Sequence, residues 1–141
     1  MKRVVILGST GSIGTSALDV ISRRPGEFEV AGLSAGSNTA LLEEQAARFG
    51  VETVALCATP VSPIRGRQVL TGADAASRLV ALTSPDIVVN GISGAAGFLP
   101  SVEAIRQGAL LALANKESLV IGGPFIADML KESGSTIVPV D

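Results

Sequence analysis

The sequence contains no histidine, no tryptophan, no tyrosine and a single cysteine, Cys57, in 141 residues. Each absence closes a class of chemistry. Without His there is no Ser-His or Cys-His catalytic pair and no imidazole metal site. One cysteine excludes an intramolecular disulfide and agrees with a reducing cytoplasm. Long uncharged runs are also missing. The longest, Ile87 to Val102, has 16 residues and is interrupted by Asn90, several glycines and Pro100, whereas a membrane-crossing helix needs about 20 apolar residues in a row. Charge of one sign is scarce: the net charge is −2 and the 11 Lys and Arg are dispersed, which argues against a nucleic-acid partner. Met1-Lys2-Arg3 leads straight into the first apolar run, so no signal or transit peptide is expected, and the location read from this is cytoplasmic. Chemistry is left to carboxylates, Lys116, hydroxyls, backbone groups or a bound cofactor.

What the sequence does have is apolar residues, 47 % of the total, and 16 glycines, with a mean hydropathy of +0.48. This composition suits one domain built on a parallel sheet buried on both faces. The most informative stretch is Gly8-Ser9-Thr10-Gly11-Ser12-Ile13-Gly14. Before it stands Val4-Val5-Ile6-Leu7, a β-branched run that reads as a buried strand. After it Ile13, Ala17, Val20 and Ile21 recur at helical spacing. Glycines where a strand turns into a helix are the context of a dinucleotide-binding turn. In that reading Gly8 makes the tight turn, Gly11 lets backbone approach a pyrophosphate, and Gly14 lets the helix pack close to the sheet. The N–H groups of Thr10, Gly11, Ser12 and Ile13 point at the phosphates, with the helix dipole behind them. The plain alternative is a glycine-rich connection with no ligand.

Further along, Phe28 to Ser34 reads as a strand, Thr39 to Phe49 as a helix capped by Asn38, and Val51 to Leu56 as a third strand. Pro60 and Pro63 mark an irregular excursion, after which Gln68 to Leu70 is a possible short strand. Ala73 to Leu82 reads as a helix, Asp86 to Asn90 as a buried strand, Leu99 to Gln107 as a helix and Ala109 to Ala114 as a strand. A helix from about Asn115 to Glu132 contains Gly122, Gly123 and Pro124, which are positioned to kink or split it. Ile137 to Val140 is the last strand. About six main strands alternating with helices predict a doubly wound parallel α/β sheet of the Rossmann type, in order 3-2-1-4-5-6 with helices on both faces.

Two stretches at the carboxyl edge of this sheet carry further candidates. The segment after the second strand, Ser34 to Asn38, has no Asp or Glu to hold a ribose 2′-hydroxyl, which permits a 2′-phosphate and favours NADP over NAD. Ser37 and Asn38 offer hydrogen bonds there, although no Lys or Arg is present. Asn115-Lys116-Glu117-Ser118 follows a strand of Ala and Leu. Asn115 suits a nicotinamide ribose or amide, Lys116 an anionic substrate group, and Glu117 a hydroxyl. The same residues also make an ordinary helix start, with Asn115 as cap and Glu117 in the first turn. Asp141 lies at the same edge.

Taken together, the glycine turn, Gly91-Ile92-Ser93-Gly94-Ala95-Ala96-Gly97-Phe98-Leu99-Pro100, Leu113-Ala114-Asn115-Lys116-Glu117-Ser118-Leu119-Val120 and Ile137-Val138-Pro139-Val140-Asp141 resemble the 1-deoxy-D-xylulose 5-phosphate reductoisomerase family. The resemblance runs over the whole chain and corresponds to that family's N-terminal NADPH-binding domain, so residues 1–141 are expected to form one NADP-binding domain. It implies an enzyme that isomerises and reduces 1-deoxy-D-xylulose 5-phosphate to 2-C-methyl-D-erythritol 4-phosphate in isoprenoid biosynthesis, using NADPH and a divalent metal (Mg or Mn), as a homodimer. It further implies that Thr10, Gly11, Ser12 and Ile13 contact the pyrophosphate side of the cofactor, that Gly36, Ser37 and Asn38 contact the adenosine ribose phosphate, and that Asn115 and Glu117 also touch cofactor. Lys116 matches a substrate contact and Asp141 the first metal-binding carboxylate. Some members carry a basic residue at Ser37. The family's sequence continues past Asp141 with Ser-Glu and a catalytic domain, so this chain is expected to bind cofactor without turning over. The rival readings are a stand-alone NAD(P)-binding sensor or scaffold, and a two-domain dehydrogenase of the semialdehyde or dihydrodipicolinate type, against which the Asn-Lys-Glu-Ser-Leu block argues.

Overall fold

The structure is a computed structural model. It describes residues 1–141 apart from Val61, Asn115, Lys116, Ile121 and Asp141, and for Glu117 and Ser118 only the helix that holds them. The elements in chain order are β1 (Lys2–Leu7), α1 (Ser12–Ser22), β2 (Phe28–Ala35), α2 (Thr39–Phe49), β3 (Thr53–Leu56), β4 (Gln68–Thr71), α3 (Ala75–Thr83), β5 (Ile87–Asn90), a 3-10 turn (Ala95–Gly97), α4 (Phe98–Arg106), β6 (Leu110–Leu113), α5 (Glu117–Val120), α6 (Gly123–Ser133) and β7 (Thr136–Pro139).

Seven strands form one sheet in the order β4-β3-β2-β1-β5-β6-β7, and every neighbouring pair is parallel. The doubly wound sheet read from the sequence is therefore present, with one strand more than the expected six. The extra strand is Gln68–Thr71, which pairs with β3 at the sheet edge. Its residues are half-buried or exposed, and an edge strand of that kind carries little hydrophobic signal. The other six strands keep the expected order.

Side-chain alternation along β1 divides the core. Val4 and Ile6 pack with Leu18 of α1 and Leu42 and Ala46 of α2 on one face. Val5 and Leu7 pack with Leu79, Val80 and Ile105 of α3 and α4 on the other. A strand of pure apolar residues is what this double burial requires, because successive side chains point to opposite faces. Helix ends follow their local chemistry. Asn38 caps α2, its side-chain oxygen accepting from Leu41 N at 3.2 Å. The helix expected across 115–132 is divided into α5 and α6. Gly123 has φ +44° and Pro124 stands at the first turn of α6, so the backbone leaves helical space and restarts where a missing N–H does no harm.

Candidate functional site

The chain passes from β1 to β2 on one side and returns to β5 on the other, so the strand order reverses between β1 and β5. The turns leaving the carboxyl ends of these two strands diverge there and form a crevice, the usual ligand position in such sheets. One wall is the glycine turn. Gly8 has φ +72°, a conformation glycine adopts without strain. The N–H of Gly11 donates to Gly8 O at 3.1 Å and closes the turn, and Gly11 O accepts from Thr15 N at 2.9 Å. Gly14 is required by contact rather than by conformation: a Cβ there would sit 2.4 Å from Gly8 O and from Ser9 Cα. The first turn of α1 is thereby drawn against the strand end. A Cβ on Gly11 would meet only Gly8 O, at 3.5 Å, so that side of the turn is open.

With the Gly11 N–H engaged, the N–H groups of Thr10, Ser12 and Ile13 have no hydrogen-bond partner among the described residues. Orphan donors at a helix start, with the positive end of the helix dipole behind them, form an anion site. Thr10 and Ile13 are half-exposed and Gly11 and Ser12 exposed, so a ligand reaches them. The turn is anchored from β2. Ser34 O accepts from Ser9 N at 2.8 Å, and Ser34 Oγ accepts from Gly8 N at 3.3 Å.

The opposite wall is the loop after β5. The buried side chain of Asn90 determines its path. Asn90 Nδ2 donates to Gly97 O at 3.0 Å and to Ser101 Oγ at 2.7 Å, while Oδ1 accepts from Ile92 N at 3.0 Å. Gly91 N donates to Leu7 O at 2.9 Å. The two walls touch through glycines: a Cβ on Gly8 would lie 3.1 Å from Gly91 C, and one on Gly91 3.3 Å from Ile13 Cβ.

Beside the glycine turn, at the ends of β2, β3 and β4, a cavity of about 180 Å3 is lined by small residues, among them Gly8, Ala35, Ala55, Gly72 and Ala76. A slot walled by Ala and Gly suits a flat aromatic ring and would be filled by larger side chains. Gly36 lines it, and Gly36, Ser37 and Asn38 are all exposed. The Asn38 oxygen is committed to the α2 cap, which leaves its Nδ2 free to donate outward. A larger apolar groove of about 330 Å3 runs beside α1 over Val20, Phe28, Ile87 and Val89. It lacks charged groups to orient a polar ligand.

Of the residues singled out in the sequence, the structure brings Thr10, Gly11, Ser12, Ile13, Gly36, Ser37 and Asn38 to one edge of the sheet. Asn115, Lys116 and Asp141 lie outside the described residues, and Glu117 is described only as the start of α5. No cluster of three or more metal-binding side chains occurs among the described residues, and no helix among them is long and apolar enough to cross a membrane. Pattern reading missed Asn90, Gln45 and the alanine slot. Asn90 offered one signal, a polar side chain ending an apolar strand; the slot residues offered none.

The family model described as 1-deoxy-D-xylulose 5-phosphate reductoisomerase matches residues 4–123. The enzyme of that name from Mycolicibacterium smegmatis is 49 % identical over 141 residues, covering 99 % of this chain and 35 % of the relative. That from Thermodesulfovibrio yellowstonii is 42 % identical over 146 residues, covering all of this chain and 38 % of the relative. The solved Zymomonas mobilis enzyme in complex with NADPH superimposes with a TM-score of 0.88 at 35 % identity, over 99 % of this chain and 38 % of that one. The chain thus spans little more than a third of the length of the relatives it matches, and within that span it belongs to the 1-deoxy-D-xylulose 5-phosphate reductoisomerase family.

Proposed function

We propose that this chain is the NADPH-binding domain of a 1-deoxy-D-xylulose 5-phosphate reductoisomerase. The observation that carries the proposal is the set of unpartnered N–H groups at Thr10, Ser12 and Ile13, set beside the alanine slot at the reversal point of the sheet. That the Zymomonas mobilis structure is a complex with NADPH supports the same reading. The turn from Thr10 to Ile13 holds the pyrophosphate, with Gly11 giving it room. The adenine enters the slot between Gly8, Ala35 and Ala76. Gly36, Ser37 and Asn38 receive the ribose and its 2′-phosphate through hydrogen bonds rather than through a cation. Asn115 and Glu117 hold the nicotinamide end, and Lys116 takes an anionic group of the substrate. Asp141, which matches the family's first metal-binding carboxylate, is the metal ligand this chain would supply.

NADPH supplies the hydride that reduces an aldehyde produced by rearrangement of the hydroxyketone phosphosugar. The residues of this chain bind the cofactor and aim its nicotinamide along the β1–β5 crevice. The whole protein is proposed to act in the cytoplasm as a homodimer, and the 141-residue chain to bind cofactor without turnover. Titration with NADPH and with NADH, followed by reduced-nicotinamide fluorescence, tests this; the absence of Trp and Tyr leaves little protein emission to interfere. Saturable binding that favours NADPH is expected. Preference for NADH would reject the assignment of a 2′-phosphate to Ser37 and Asn38, and no binding of either would reject the turn as a cofactor site sufficient by itself.

A further inference from the structure

Gln45 lies in the middle of α2, and its side chain is buried at 7 % exposure. Its Nε2 donates to Ser9 O at 2.9 Å, joining residues 36 apart in sequence. Ser9 is itself fully buried, and its N–H donates to Ser34 O. The carbonyl of Ser9 and the N–H of Thr10 belong to one peptide unit, which is trans. A planar trans peptide points its C=O and N–H in opposite directions. Holding the carbonyl inward on Gln45 therefore holds the Thr10 N–H outward, into the crevice. A hydrogen bond on the carbonyl also polarises the peptide and strengthens the N–H as a donor.

The arrangement has a local drawback. Gln45 Oε1 and Ser9 Oγ are both buried without a partner, and a buried unpaired acceptor opposes folding. The reverse amide orientation would set two oxygens against each other, so Ser9 O dictates that Nε2 faces it. An apolar side chain of similar length at position 45 would remove the orphan Oε1 but would take from the buried Ser9 carbonyl its donor. The side chain at position 45 thus acts on the Ser9–Thr10 peptide rather than filling space alone.

We propose that Gln45 is a positioning residue for the cofactor pyrophosphate: by gripping the Ser9 carbonyl it fixes the direction of the Thr10 N–H. This rests on the reading of the glycine turn as a phosphate cradle. The test is Gln45→Met in the 141-residue chain, with affinities for NADPH and for adenosine 2′-monophosphate measured beside the melting temperature. The smaller ligand occupies the slot and reaches Ser37 and Asn38 but has no pyrophosphate. The expected result is an NADPH Kd raised about five- to tenfold, the size of one ordinary net hydrogen bond, since the Thr10 N–H is loosened rather than removed. The Kd of adenosine 2′-monophosphate stays unchanged, and the melting temperature falls by a few degrees at most, because the Ser9 carbonyl loses its donor while the orphan Oε1 is removed. Loss of both affinities together with a lower melting temperature would reduce Gln45 to a structural role, and an unchanged NADPH Kd would overturn the inference. A separate measurement is the NMR order parameter of the Thr10 N–H in the unliganded chain, which is expected to fall in the variant. If the parent chain binds neither ligand, the cofactor reading fails. The order parameter then still decides whether Gln45 holds this peptide, and an unchanged value would overturn that too.

Discussion

Replacing Gly14 by Ala separates two roles that glycines play in the turn. The added Cβ would lie 2.4 Å from Gly8 O, 2.4 Å from Ser9 Cα and 2.7 Å from Ser9 C. All three are backbone atoms and cannot swing aside as a side-chain end would. Ordinary contact begins at 3.4 Å, so α1 must withdraw from the turn by about 1 Å, a displacement that at a positioned site can cost 10²-fold. Overpacking of this kind costs about 1–3 kcal/mol, against which Ala regains about 1 kcal/mol of helix propensity. With three backbone atoms inside 3.0 Å the upper end of that range applies, so the net loss is about 2 kcal/mol and the melting temperature is lower by roughly 4–8 °C. Donors moved by that distance no longer reach a phosphate, and NADPH affinity falls by about 10²-fold. Gly11→Ala is the control. Its Cβ meets only Gly8 O, at 3.5 Å, so the melting temperature holds while the methyl group occupies the space in which the pyrophosphate lies. Thermal denaturation and fluorescence titration of both variants decide the matter. A Gly14→Ala chain that melts and binds like the parent would refute the close approach. One that melts lower but binds normally would show that the turn does not hold phosphate.

Two further substitutions test the other walls. Asn90→Ala removes three hydrogen bonds, two of them buried, and takes the partner from Gly97 O, Ser101 Oγ and Ile92 N; unfolding by urea should show a loss of about 2–4 kcal/mol, and a loss below about 1 kcal/mol would mean that the loop holds its path without it. Ser37→Arg adds a cation where the 2′-phosphate is assigned. NADPH should bind several-fold more tightly, with a steeper dependence on salt, and NADH should be unaffected; equal gains for both cofactors would move the phosphate elsewhere.

The parts of the site that were legible in the sequence are those made by neighbours along the chain. The strand, the glycines and the helix of residues 4–22 are contiguous, and the close approach at Gly14 is to neighbours in the same turn, Gly8 and Ser9. Asn38 was legible as a cap for the same reason, since its partner Leu41 is three residues away. The edge strand β4 and the break between α5 and α6 were legible only as possibilities, because weak burial in one case and a permissive Gly-Pro pair in the other leave the outcome to packing.

What lies across the sheet was not legible. The alanine slot gathers residues from the ends of several strands and from α3, and a small apolar side chain has the same pattern value wherever it sits. Gln45 reads in sequence as one more polar residue of an amphipathic helix, and its hold on Ser9 exists only because α2 packs over the turn. By itself the sequence determined the alternation of strands and helices, the place of the glycine turn and the family, since these depend on local backbone sterics and on residues adjacent in the chain. Only the tertiary structure decided which carbonyl meets which donor across the core, because hydrogen bonds between residues tens of positions apart depend on strand register and helix packing.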